Sequence, residues 1–180
     1  MDTKTLCLAV LVRGDATGYE IRKTFERGVL GHIQVASFSA IYPALKHLKQ
    51  RGLVTLTGVA QVGRPAKKIY SITPSGRMAL VDALMSPLEP DRLRSDFLFH
   101  MLFVQLLPAQ RLEALIEARL RQLRQIIADM EACADGTHTA GDRFVHGFGL
   151  AIYRAAERHI EQHKLELLRE SLLAEQGVAE

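Results

Sequence analysis

One stretch, residues 37–79, constrains this chain more than the rest together: SFSAIYPALKHLKQRGLVTLTGVAQVGRPAKKIYSITPSGRMA. It begins with apolar residues at helical spacing, Ile41, Leu45 and Leu48 falling at i, i+4 and i+7. Ser37 or Ser39 can cap that helix, Pro43 is tolerable in or just beyond its first turn, and Gly52 stops it after Arg51. Residues 53–57 and 68–72 then alternate as β-strands, joined by an irregular hairpin over 58–67. The hairpin tip, Gly63-Arg64-Pro65-Ala66-Lys67-Lys68, is basic and stiffened by proline. Thr73-Pro74 starts another helix, running to about Met85. Helix, strand, basic turn, strand and capped helix is the order of a winged helix-turn-helix. Basic side chains stand at the two places where such a unit meets DNA.

The residues upstream fit that order. An apolar helix is expected over 4–12, broken by Arg13-Gly14-Asp15-Ala16. Thr17 is an N-cap for a second helix to about Glu26, with Glu20 at capping-box spacing and Tyr19 in its first turn.

Charge divides the chain. Residues 1–85 carry 12 Lys or Arg against 5 Asp or Glu, and residues 86–180 carry 11 against 15, so +7 faces −4 within a net +3. A polyanionic partner is therefore expected for the first half alone. Pro87 and Pro90 interrupt the helical pattern, which sets the expected domains at 1–86 and 87–180. The start of the chain lacks the pattern of a cleaved signal peptide. The most apolar run, 97–107, is about half the length that spans a bilayer. Cys7 and Cys133 lie far apart without metal spacing, which suits reduced thiols in a cytoplasmic protein.

The second half reads as nearly all helix. One helix is expected over 93–107, stopped by Pro108, and a long one over 109–134 with Ile116, Leu120, Leu123, Ile127 and Met130 as a coiled-coil-like seam. A loop over 135–141 leads to a last helix from Asp142 or Arg143 to about Ala174, with Phe144, Phe148, Ile152 and Ala155 on one face. Helices this long in a domain this small imply a partner for their apolar faces, most simply a second copy. The fold class is mainly α with a small β-wing: a winged helix-turn-helix followed by an all-α dimerisation domain.

For DNA contact, Lys46 and Lys49 supply charge on the third helix, and Ser37, Ser39 and Tyr42 supply hydrogen-bonding groups near its N-terminus. Tyr19 belongs to the same candidate set. Arg64 at the wing suits a minor groove. Of Lys67 and Lys68, only one can face DNA from a regular strand.

These pieces resemble the PadR family of winged-helix transcriptional regulators. The resemblance rests on Gly18-Tyr19-Glu20-Ile21, on Ser39-Ala40-Ile41-Tyr42-Pro43-Ala44-Leu45 with Leu48 and Arg51-Gly52-Leu53-Val54, and on Gly63-Arg64-Pro65 and the run from Lys68 to Gly76. It covers about residues 4–85, and the helical second half is similar to the domain often attached in that family. It implies a homodimer through the C-terminal helices, with Phe97, Phe144, Phe148, Ile152 and Ala155 as interface candidates. It also implies a palindromic double-stranded operator, repression, and release by a small molecule that in some members is aromatic. Many relatives carry a tryptophan in the last helix, and this chain has none.

Other readings find less support. His159-x-x-x-His163 has a spacing that can hold a metal, yet without a third ligand nearby in sequence it reads as two solvated histidines. His100 reads as a core or interface group, and Asp91 and Asp96 as caps or dipole partners. No nucleophile elbow, phosphate loop or paired catalytic acids occur, and neither cofactor nor membrane is implied. A winged helix that binds protein would need an apolar recognition face, which Ser39, Tyr42, Lys46 and Lys49 do not form.

Overall fold

The computed structural model describes residues 1–27, 38–61, 64–88, 90–91, 93–132 and 139–177, with side chains described except at 26, 27, 38, 59–61, 64–66 and 177. The chain divides into two compact units, Met1–Glu89 and Pro90–Glu180.

In the first unit, α1 (Thr3–Leu11) is capped by Asp2, whose carboxylate accepts from the Thr5 amide. A two-residue strand, β1 (Ala16–Thr17), leads straight into α2 (Gly18–Arg27). The capping box forms in both directions: Thr17 Oγ1 accepts from the Glu20 amide at 3.1 Å, and Glu20 Oε2 accepts from the Thr17 amide at 2.8 Å. The described part of α3 spans Phe38–Gln50 and turns Ile41, Ala44, Leu45 and Leu48 inward against α1 and α2. Pro43 lies just beyond the first described turn of this helix, as its sequence position suggested. Gly52, at φ 68°, ends α3 in the left-handed region that glycine enters without penalty. The Leu53 amide reaches back to the Leu48 carbonyl and the Gly52 amide to the Lys49 carbonyl, the paired bonds of a Schellman turn.

The wing is longer than its sequence implied. Strands β2 (Val54–Gln61) and β3 (Arg64–Ile72) pair antiparallel from Val54↔Ile72 to Gln61↔Arg64, with a register irregularity between Val59 and Gln61. Residues 58–61 and 64–67, expected as an irregular hairpin between shorter strands, belong to the strands themselves, and residues 62–63 lie outside the described chain. β1 adds to the other edge of β3 through Ala16↔Tyr70 and Thr17↔Ile69, giving the order β1-β3-β2. Thr73 then fastens the sheet to α4 (Pro74–Leu84): its hydroxyl caps Gly76 and donates to the Gly52 carbonyl at 2.8 Å. Among the described residues, fourteen buried apolar ones form the core, from Leu6 and Cys7 through Ile21, Ile41 and Leu45 to Leu80. Burial pushes the Cys7 thiol up to about 12, so this sulfur stays a neutral packing group.

The second unit corrects two expectations. The helix expected over 93–107 is instead a short α5 (Asp96–Met101) capped by Ser95, followed by a 3-10 turn over Val104–Leu106. The chain leaves the helix at its Leu102 C-cap, and Val104 two residues on is buried in the core. The seam on α6 (Ala109–Ala132) is buried as its spacing implied, but it is covered by α7 (Ala140–Gly177) of the same chain rather than by a second copy. Leu112, Ile116, Leu120 and Leu123 are at most 1% exposed, and each such burial stabilises by about 2 kcal/mol. Two distant contacts lock the end of α7 onto the start of α6. Ser171 Oγ donates to the Leu107 carbonyl at 2.6 Å, and Glu175 accepts from the Ala109 amide at 2.8 Å. No described helix is long and apolar enough to cross a membrane.

Candidate nucleic-acid interface

α3 presents a second face opposite its buried one. At 3.6 residues per turn, Ser39, Tyr42, Lys46 and Lys49 fall within an arc of about 80°. All four are exposed, the tyrosine by 57%. This is a polar and basic helix face with one large amphipathic ring in its middle, suited to hydrogen bonding and charge rather than to apolar packing.

The first turn of α2 assembles the rest of the surface around that helix. Gly18 lies under the Tyr42 ring so closely that a β-carbon there would stand 2.7 Å from Tyr42 Cε1. Tyr19, 66% exposed, follows immediately in the first turn of α2. Burial pushes the Tyr70 phenol on β3 above its ordinary range, and nearby Tyr42 adds to the effect.

From the wing side, Lys67 Nζ meets Glu20 Oε1 at 3.1 Å. Glu20 therefore does two jobs at once: one carboxylate oxygen caps α2, and the other holds β3. The Thr17 amide and hydroxyl, followed by Lys67, lower its carboxyl to about 2. Lys68, next along the strand, is exposed. α3 and β3 thus both meet the start of α2, through Tyr42 against Gly18 and Lys67 on Glu20, while Tyr19, Ser39, Lys46, Lys49 and Lys68 are exposed on these same elements. Ser37 lies outside the described residues, as does the side chain of Arg64, whose backbone opens β3. Sequence reasoning missed Gly18 and the second role of Glu20. The glycine directly after the cap was a visible signal, whereas the Glu20–Lys67 pairing crosses 47 residues and left none.

On α7, Phe144, Phe148, Ile152 and Ala155 are exposed, and the two phenyl rings stack with centroids 6.1 Å apart. Phe97 behaves differently: it is half-buried against the core of its own unit, while Phe99, Leu102 and Leu106 on the neighbouring turns are the exposed side chains. His100 is exposed as well, with Nδ1 2.7 Å from the Asp96 carbonyl, so it is not a core group.

A winged helix carrying this face, followed by a long-helix unit, defines a transcriptional regulator of the winged-helix class. The model of the transcriptional regulator PadR-like family matches residues 7–82. The negative transcriptional regulator PadR of Bacillus subtilis is 30% identical over 130 residues, 71% of this chain and 70% of that one. A PadR-like transcriptional regulator from Bacillus cereus has a solved structure with a TM-score of 0.82 and 28% identity, covering 92% of this chain and 98% of that one. Bacillus subtilis PadR in complex with operator DNA matches with a TM-score of 0.77 and 25% identity over 91% and 98% of the two chains. The chain belongs to the PadR-like family.

Proposed function

We propose that this chain is a sequence-specific DNA-binding regulator, a homodimeric repressor that reads a palindromic operator and is released by a small molecule. The observation that carries the reading is the convergence of the exposed α3 face, the wing strand and Tyr19 on the first turn of α2. The third helix enters the major groove with Ser39, Tyr42, Lys46 and Lys49, and Lys68 and Arg64 meet the backbone or minor groove from the wing. Residues 1–86 do the reading. Residues 87–180 supply the second copy through Phe144, Phe148, Ile152 and Ala155, and house the effector response. That Bacillus subtilis PadR has been solved with operator DNA supports the DNA partner. The same relative has been solved with p-coumaric acid, so a phenolic acid is the first effector to try.

Binding to DNA flanking the chain's own gene, measured by mobility shift across a salt series, tests the reading. Affinity is expected to fall steeply with salt, because Lys and Arg displace condensed counterions. Lys46→Ala should weaken binding and flatten the salt slope by about 1 per protomer. Tyr42→Ala should weaken binding by about 1–3 kcal/mol. Wild-type affinity in both variants would show that α3 does not enter the groove.

A further inference from the structure

We propose that His159 and His163 form a chelating site for a divalent transition metal on the exposed face of α7. Both histidines are exposed, and their rings stand one helical turn apart with centroids 4.5 Å from each other and planes tilted by 44°. Two imidazoles sharing one ion through metal–nitrogen bonds of about 2.1 Å place their centroids about 4.5–5 Å apart, which is the spacing these two rings already have.

A second observation points the same way. His163 Nδ1 lies 3.3 Å from Glu166 Oε2. A carboxylate in that place accepts a hydrogen bond from Nδ1–H in the tautomer that leaves the Nε2 lone pair free, the arrangement that orients metal-ligating histidines. The adjacent cation is turned away: Lys164 Nζ is 2.7 Å from Glu161, with Glu117 at 4.0 Å. Among the described residues no group of three or more His, Cys, Asp or Glu side chains is arranged around one ion. The protein therefore supplies two ring nitrogens, and water completes the shell. Imidazole donors select copper, nickel or zinc over magnesium and calcium, with copper(II) bound most tightly. The site needs neither operator nor effector, so it stands or falls apart from the DNA-binding reading.

Titration of the tag-free full-length chain with nickel chloride or copper chloride, followed by calorimetry and by paramagnetic broadening of the histidine ring resonances, tests it. One saturable site per chain is expected, with the His159 and His163 signals broadened first and magnesium chloride without effect. His159→Ala and His163→Ala should each remove the saturable phase. Glu166→Gln should weaken it about tenfold through loss of the orienting carboxylate, and His100→Ala should leave it unchanged. All of these side chains are exposed, so the variants keep the fold. Saturable binding that survives both histidine substitutions, or no preference for nickel over magnesium, overturns the proposal.

Discussion

The Met1–Glu89 unit buries aliphatic side chains from its four described helices and its sheet, leaves Met78, Val81, Leu84 and Met85 exposed along α4 and its C-cap, and turns a polar face of α3 outward. The Pro90–Glu180 unit also has a dry interior along α6, yet it leaves Phe144, Phe148 and Ile152 outside, more than half exposed. The same residue classes therefore do different work in the two units. Apolar burial in the first holds a frame behind the polar, basic face of α3. In the second it holds two helices together and leaves an unmatched apolar row on the longer one. Contiguous apolar surface of this kind marks an interaction site more often than a packing error.

Placing a charge in each region separates the two roles most sharply. Leu45→Glu would bury a carboxylate in a fully enclosed site without a partner, and the first unit should not fold. Phe148→Glu puts the same charge on the exposed row of α7, where water can reach it. Helix content and melting of the isolated chain should then change by no more than about 0.5 kcal/mol, while sedimentation should show self-association lost. If the Phe148 variant unfolds as Leu45→Glu does, the row is core and the contrast between the units fails.

A subtler test lies within the first unit. Alanine is the best helix former, so Gly76→Ala inside α4 looks harmless by propensity alone. A β-carbon at Gly76, however, would stand 2.1 Å from the Leu53 carbonyl oxygen, a backbone atom that cannot rotate away. Destabilisation of about 1–3 kcal/mol is expected, read from chemical denaturation. A neutral or stabilising result would mean that the junction of β2 and α4 yields easily, and that the first unit is less rigid than its packing suggests.

Local chemistry made much of this legible in sequence. The Thr17–Glu20 capping box, the Thr73-Pro74 start, the Gly52 stop and the 4-3-4-3 seam of α6 each involve residues within a few positions of one another, so spacing alone carries them. What escaped depends on distance along the chain. Two-residue β1 has no periodicity of its own and exists because β3 offers a free edge at Tyr70 and Ile69. Both the seam on α6 and the row on α7 read as apolar stripes, and only the fold shows that the first is covered internally. Phe97 and Phe99 sit two residues apart, so they turn to different sides of α5, and nothing in the sequence says which side meets the core.

The smallest expected effect concerns the joint between helix and wing. Glu20 titrates at about 2 rather than at its ordinary 4.5 because the Thr17 amide, the Thr17 hydroxyl and Lys67 all favour its charged form. A folded value below the unfolded one means that the ionised carboxylate stabilises the native chain above about pH 4.5, and that this contribution disappears as pH falls through the folded value near 2. The Glu20 side chain is 48% exposed and Lys67 42%, so solvent screening reduces the gain to about 1 kcal/mol or less. Glu20→Gln should accordingly lower stability by that amount at neutral pH, with the difference from wild type closing between about pH 4.5 and 2. Lys67→Met should remove only the Lys67 share and leave the Thr17 bonds in place, so its pH-dependent difference should be the smaller of the two. Equal losses in both variants would place the whole effect in the wing contact, and would make Glu20 a tether for β3 more than a cap for α2.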